Sequence, residues 1–145
     1  MKKIAALCAG LLLLTGCGPS YDEAGYDLVI EWADEVVPVT EMAALTAPDG
    51  VHEEDADQIE ATNSEYWDRD DWPDRSEIET WMFTITQAGQ TLTVDGEEFA
   101  RAVHQLEDAS SWLAIDIRDG DEQEIQWSAE DAYDAVQDFR ELITP

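Results

Sequence analysis

This 145-residue chain contains only two cysteines and only two lysines. Both cysteines, Cys8 and Cys17, fall within the first 17 residues, so residues 18–145 can form neither an internal disulfide nor a thiolate metal site. The only two lysines, Lys2 and Lys3, also stand at the start. The rest of the chain has arginine as its only strong base.

Recognised catalytic motifs are missing as well. The sequence contains no G-x-S-x-G elbow, no glycine-rich phosphate loop and no paired-histidine motif. His52 and His104 are isolated, and we expect both to be solvated or structural. Carboxylates are too abundant for any pair to indicate a glycosidase-type acid and base. We therefore predict that the protein is not an enzyme.

The first 16 residues have the organisation of an export signal. Met1-Lys2-Lys3 is a short cationic start, Ile4 to Leu14 is an apolar run, and Thr15-Gly16 are small. From Ile4 to Gly16 there are 13 residues, fewer than the roughly 17–25 that a membrane-spanning helix needs. This stretch therefore predicts a signal peptide and not a membrane span.

The signal ends in Leu14-Thr15-Gly16-Cys17, which resembles the lipobox of bacterial lipoproteins. The resemblance implies cleavage after residue 16 and acylation of Cys17, for example by palmitate, so that the membrane is a partner through this lipid anchor. Each buried methylene contributes about 0.8 kcal/mol, so two or three acyl chains give a lasting tether. The implied location is the cell envelope, facing the periplasm or exterior. In Gram-negative bacteria, an Asp directly after the lipidated cysteine commonly retains a lipoprotein at the inner membrane. This chain has Gly18 at that position, so the resemblance favours the outer membrane.

The chain after the signal is strongly acidic. Cleavage would leave 129 residues with five arginines against 35 Asp and Glu, and would take the net charge from −28 to −30. Such a charge repels nucleic acids and anionic lipid surfaces. Six Trp, four Tyr and three Phe argue against disorder. Salt near 1 M shortens the Debye length to about 3 Å, so a highly acidic surface repels itself little at that concentration. The acidity therefore indicates either a salt-loving source or a binding function.

The sequence predicts one domain behind a short tether. Residues 17–25 are assigned to the lipidated cysteine and tether, and 26–145 to a single acidic α+β domain. Residues 27–37 fit both a strand and a helix, and Pro38 is expected to end either one. Thr40 is expected to cap a short helix that ends near Ala47. Residues 51–75 show no sustained period and predict a long, irregular acidic loop.

Two ββα units are predicted for the second half, at about 78–109 and 111–144. In the first, Trp81, Phe83 and Ile85 alternate, Ala88-Gly89 turns the chain, and Asp95 begins an amphipathic helix. In the second, Leu113, Ile115 and Ile117 alternate as in a strand, and Asp119-Gly120 turns the chain. Ile125 and Trp127 belong to the returning strand, and Ser128 begins the helix. We therefore expect an antiparallel four-stranded sheet with two helices on one face. Residues 27–47 would cover the other face, which would include Met82, Trp112 and Ala114.

The predicted loop contains the candidate site residues. Trp67, Asp68, Asp70, Asp71 and Trp72 are predicted to bind a partner, because Trp anchors are frequent interface hot spots; the alternative is that both tryptophans pack over the sheet. Asp68, Asp70, Asp71 and Asp74 are a candidate weak Ca²⁺ site. Residues 116–124 do not fit an EF-hand, since Gly120 stands at position five and Arg118 at the third ligand position.

Three functions remain open on these observations. The leading hypothesis is a small non-enzymatic envelope lipoprotein that acts as an interaction or accessory module for another envelope protein. The second is a lipoprotein that binds a divalent cation through the acidic loop; no other cofactor is expected. The third is an immunity or inhibitor lipoprotein whose anionic surface blocks a cationic enzyme.

Overall fold

The structure is a computed structural model, and it describes residues 21–50 and 52–145. The predicted signal peptide 1–16 and the lipidation site Cys17 lie outside the described residues. None of the helices among the described residues has the length and apolar character needed to cross a bilayer. The elements are α1 (Glu23–Thr46), a 3₁₀ turn (Ala47–Asp49), α2 (Glu53–Trp67), α3 (Arg75–Ile78), β1 (Met82–Gln87), β2 (Gln90–Asp95), α4 (Gly96–Asp119) and α5 (Glu122–Ile143).

The four long helices of the described chain form a bundle. Helix α1 packs on α2 and α5, and α4 packs on the same two helices from the other side. The core has two sections along the bundle. One is rich in large side chains and lies beside the hairpin; it includes Trp32, Trp81, Phe83, Phe99 and Phe139. The other is built largely of alanine with Ile59, Leu113, Ile117 and Ile125.

The first hairpin is confirmed. Strands β1 and β2 pair antiparallel with Phe83 opposite Val94, and both of these side chains are buried. Ala88 and Gly89 form the two-residue turn with φ of 52° and 79°, the positive values that a tight hairpin of this twist requires. Asp95 caps α4 as predicted, because its carboxylate accepts a 2.9 Å hydrogen bond from the Glu97 amide.

Helix α4 begins in close contact with the segment before the hairpin. A Cβ atom placed on Gly96 would lie 2.4 Å from the carbonyl oxygen of Ile78 and 2.5 Å from that of Trp81. Only glycine fits such an approach of two backbones. The contact ties the hairpin to the start of α4 and fixes the direction in which that helix leaves the sheet.

The predicted second ββα unit is wrong, and with it the four-stranded sheet. Residues 111–119 continue α4, where Leu113, Ala114 and Ile117 are buried on one helical face. Helix α5 begins at Glu122, with Asp121 and Glu124 forming a capping box. Ser128, the predicted cap, lies inside the helix. The described residues thus contain one two-stranded sheet attached to a helical bundle.

The predictions for residues 27–75 are also wrong. Helix α1 runs without interruption from Glu23 to Thr46. Pro38 therefore does not end a helix or a strand, and Thr40 lies inside α1 and does not cap a new helix. The expected acidic loop contains the helix α2. Its buried face is Ala56, Ile59, Thr62, Asn63 and Tyr66, which repeats with helical spacing. Small and polar residues occupy most of these positions, so hydropathy did not reveal the period.

Candidate functional site

An open groove runs along the outer side of the α4–α5 pair, where no third helix of the described chain packs. Its volume is about 710 Å³. We call it the α4–α5 groove. It is lined by Gln105, Asp108, Ala109, Trp112 and Asp116 of α4, and by Glu124, Trp127, Ser128, Asp131, Asp134, Ala135 and Asp138 of α5.

Two tryptophans stand in this groove, one from each helix. Trp112 is 60% exposed and Trp127 is 57% exposed, although the next residue after Trp112, Leu113, is fully buried. Trp112 lies eight residues before Gly120 and Trp127 six residues after Asp121, so helical rise places them about 12 Å and 9 Å from the turn. The two indoles therefore stand at similar heights along the groove.

Small residues form the floor between the two helices. Ser128 and Ala135 are buried and Ala109 is half-buried. The Ser128 hydroxyl donates a 3.0 Å hydrogen bond to the backbone carbonyl of Glu124, so it does not offer that hydrogen to a ligand. A shallow floor of this kind lets a bound chain come close to both helices.

The rim of the groove is acidic. Six carboxylates line it within the described chain, and no lysine, arginine or histidine does. They are spread over several turns of both helices and do not meet at one point. The carboxylates are Asp108, Asp116, Glu124, Asp131, Asp134 and Asp138.

A second, smaller concavity of about 200 Å³ lies between α4 and the segment Trp72–Arg75. Burial raises the pKa of Glu107 at its wall, and the hydrogen bond from His104 acts in the opposite direction. Nδ1 of His104 lies 3.5 Å from Glu107, and Nε2 lies 3.4 Å from Asp108. This pocket is narrow, and its groups already contact one another.

The structure places the predicted partner-binding tryptophans against the core. The ring of Trp72 meets Trp32 edge-on with centroids 5.6 Å apart, and Trp67 lies 6.2 Å from the same ring. Both are half-buried. Intramolecular packing covers part of each ring, and the exposed part of that predicted surface consists largely of the carboxylates Asp68, Asp70 and Asp71.

The four predicted cation ligands do not form a cluster. Asp71 accepts two hydrogen bonds of 2.9 Å from the guanidinium of Arg69, while Asp68 ends α2 and Asp74 precedes α3. Among the described residues, no three His, Cys, Asp or Glu side chains are arranged to hold a metal ion. The Ca²⁺ hypothesis stays a prediction, and it rests on the loop sequence alone.

Sequence reasoning missed the α4–α5 groove because it assigned Trp127 to a strand and Trp112 to a covered sheet face. Helical spacing would have revealed it, since Gln105, Asp108, Trp112 and Asp116 recur every three or four residues on one polar face. A tryptophan in the middle of such a face is out of place in a solvated helix. Of the other two residues placed on the covered sheet face, Ala114 is buried and Met82 is 47% exposed.

Comparison with protein-family models, with curated proteins and with solved structures finds no match to this chain. The α4–α5 groove therefore has to be interpreted from its own geometry and chemistry.

Proposed function

We propose that this protein is a non-enzymatic interaction module, tethered to the bacterial envelope through lipid on Cys17, that holds a partner in the α4–α5 groove. One observation carries the proposal. Two tryptophans from different helices, both more than half exposed, share one groove with six carboxylates of the described chain. Exposing so much indole costs solvation free energy unless a partner covers it, and tryptophan is enriched among interface hot spots.

The chemistry of the groove favours binding over catalysis. Among the described residues that line it, the one hydroxyl nucleophile is Ser128, which is buried and donates to backbone carbonyls at 3.0 and 3.3 Å. No histidine of the described chain lines the groove to act as a base for it. The remaining groups are mainly carboxylates and aromatic rings, which recognise a ligand by charge and by contact area.

The test is site-specific photo-cross-linking of the lipidated protein in cells. A benzophenone amino acid replaces Gln105 in the α4–α5 groove, and in a control replaces Gln58, which is exposed on α2. We expect a discrete adduct from position 105 that is absent from position 58. The same adduct should disappear when Trp112→Ala and Trp127→Ala are added.

Two results would contradict the proposal. One is the same pattern of adducts from both positions, which would mean random collisions. The other is an adduct from position 105 that survives the loss of both tryptophans. Lipidation of Cys17 does not depend on this surface, so the tether and the binding surface can fail independently.

A further inference from the structure

The charge of the α4–α5 groove restricts its ligand to a cation. Six carboxylates line the groove, and no basic residue of the described chain does. In the described residues, four of the five arginines already pair elsewhere within the chain, for example Arg118 with Asp57 and Glu60. The groove therefore keeps an unbalanced negative charge. A basic ligand would supply the missing counter-charge and would be drawn in by long-range attraction.

The tryptophans distinguish an organic cation from a metal ion. A divalent metal requires oxygen ligands that converge on one point, whereas these carboxylates are spread along the groove and do not converge. Trp112 and Trp127 instead offer indole rings that are more than half exposed. Lysine and arginine side chains bind such rings through both their alkyl stems and their charged ends. The ligand that uses the whole groove is thus elongated, with several positive charges and apolar contacts.

The groove fits a helix better than an extended strand. Helices α4 and α5 use their backbone groups internally, so the groove offers no strand edge to which an extended peptide could hydrogen-bond. Its floor is made of small residues and lies between two antiparallel helices. From Gln105 to Asp116 the groove extends about 16 Å, or about three turns of a helix. A third helix laid along this floor would meet both tryptophans and both acidic rims.

A second copy of this chain does not provide such a helix. The protein carries a formal net charge of −28, and most of its arginines are already paired in the described structure. Two acidic copies would bring like charges together at this groove. The occupant is therefore a different protein.

We infer that the α4–α5 groove binds a lysine- or arginine-rich amphipathic helix of a partner protein, with basic side chains against Trp112 and Trp127. This inference rests on the proposed function, since it names the kind of partner that the interaction module holds. The apolar stripe of the helix covers the indoles and the small-residue floor. Its flanking basic residues pair with Asp108 and Asp116 on one rim and with Asp131 and Asp134 on the other.

The experiment titrates the full-length protein, in a non-ionic detergent, with defined peptides and measures Kd by calorimetry. The probe is a leucine–lysine amphipathic peptide of about 14 residues, long enough for the groove. One control peptide has every lysine replaced by glutamine. Another keeps the lysines but has two central prolines that prevent a helix. Spermidine tests whether a small polycation is sufficient.

We expect the helical lysine peptide to bind, and the glutamine and proline peptides and spermidine to bind at least about tenfold more weakly. Trp112→Ala with Trp127→Ala should weaken binding of the lysine peptide by about tenfold or more. Met42→Ala with Leu45→Ala should leave it unchanged, because those two α1 side chains are equally exposed, at 58% and 60%, and lie outside the groove. Asp131→Asn with Asp134→Asn should also weaken binding, unlike the control Asp27→Asn with Asp34→Asn on α1.

Several results would overturn the inference. Equal binding of the proline peptide would mean an extended occupant, and equal binding of spermidine would mean a small cation. An unchanged Kd in the tryptophan variant would place the basic ligand elsewhere on the acidic surface. Failure of every peptide, alongside a tryptophan-dependent adduct from position 105, would refute the basic helix and leave the interaction module standing. Absence of a discrete adduct from position 105 when both tryptophans are present would refute the module itself.

Discussion

Nε1 of Trp32 donates a 2.9 Å hydrogen bond to Oδ1 of Asn63 in the interior of the helical bundle. Asn63 then donates from Nδ2 to the hydroxyl of Ser110 at 3.2 Å. All three side chains are buried, and they belong to α1, α2 and α4. A buried polar chain of this kind has few alternative partners, so it specifies how the three helices align.

Asn63→Ala should destabilise the protein substantially. The substitution removes the acceptor of the Trp32 indole and leaves its N–H unpaired in the core, which costs about 1–3 kcal/mol in the free energy of unfolding. Urea denaturation followed by tryptophan fluorescence measures this loss. Gln58→Ala, on the exposed side of the same helix, is the control and should change stability by less than about 0.5 kcal/mol. Equal effects of the two substitutions would show that the polar chain does not stabilise the bundle.

Leu113→Ala and Trp112→Ala should have very different effects although the residues are adjacent. Leu113 is fully buried, so its truncation should cost about 2–5 kcal/mol. Trp112 is 60% exposed, and its truncation should change stability by no more than about 0.5 kcal/mol. Urea midpoints of the two variants decide the matter. A large loss in the tryptophan variant would mean that its ring supports the fold and is not held for a partner.

These neighbours also explain why the sequence misled us about the second half of the chain. Leu113, Ile115 and Ile117 alternate like a strand, but Ile115 is 42% exposed in α4. The residue that shares the buried helical face with Leu113 and Ile117 is Ala114. Its side chain is too small to stand out in a hydropathy pattern. Trp127, 57% exposed, completed the false alternation. The exposed apolar residues that spoiled the helical pattern thus include one tryptophan of the α4–α5 groove.

Local signals were more reliable than long patterns. The Ala88-Gly89 turn and the Asp95 cap depend on a few neighbouring residues, and both were predicted correctly. The turn at Asp119-Gly120 was also recognised, but it joins two helices and not two strands. Helix α2 was missed because three of the five residues on its buried face, Ala56, Thr62 and Asn63, are small or polar. Tertiary packing decides those positions, and packing cannot be read from hydropathy.

The ion pair between Arg140 and Glu41 should make stability depend on pH. Arg140 donates a 2.8 Å hydrogen bond from one nitrogen and a second from another, joining α5 to α1. This pairing lowers the pKa of Glu41 below its ordinary value of 4.5. A carboxyl whose pKa is lower in the folded state stabilises the protein above its unfolded pKa. That contribution disappears as the pH falls through 4.5 and then through the folded pKa.

Arg140→Gln should therefore reduce the urea midpoint at neutral pH. The difference between this variant and wild type should shrink as the pH falls through 4.5 and then through the folded-state pKa of Glu41. Arg75→Gln is the matched control, because it removes the same charge from an exposed pair with Glu79 and should matter little. Comparing differences cancels the general effect of protonating an acidic surface. Parallel pH curves for wild type and Arg140→Gln would contradict the expectation.

Thermal stability should rise with salt because screening weakens the repulsion among the 35 acidic residues. We expect the same rise in melting temperature in CaCl₂ and in NaCl of equal ionic strength. A larger rise in CaCl₂ that disappears in Asp70→Asn with Asp71→Asn would instead support the alternative function of cation binding. Asp27→Asn with Asp34→Asn, which changes the net charge equally, controls for charge alone.

The two cysteines offer an internal control for the proposed tether. The lipobox ends at Cys17, whereas Cys8 lies inside the apolar run of the same signal. Cys17→Ser should abolish labelling by radioactive palmitate, and any domain that is cleaved from its signal should leave the membrane fraction, because a domain this acidic has no affinity for anionic lipid. Cys8→Ser should leave both properties unchanged. Labelling that persists in Cys17→Ser would rule out lipidation at this residue.

The structure adds a consequence for orientation if labelling is confirmed. Tyr21 packs on Phe83 of the hairpin with ring centroids 5.8 Å apart, and it follows Cys17 by only four positions in sequence, about 14 Å at full extension. The hairpin end of the bundle must then lie close to the bilayer, with the turn at Gly120 pointing away from it. A nitroxide at Thr86 should be broadened by paramagnetic lipid headgroups more than one at Gln123. The reverse order would show that the domain does not stand on its hairpin end.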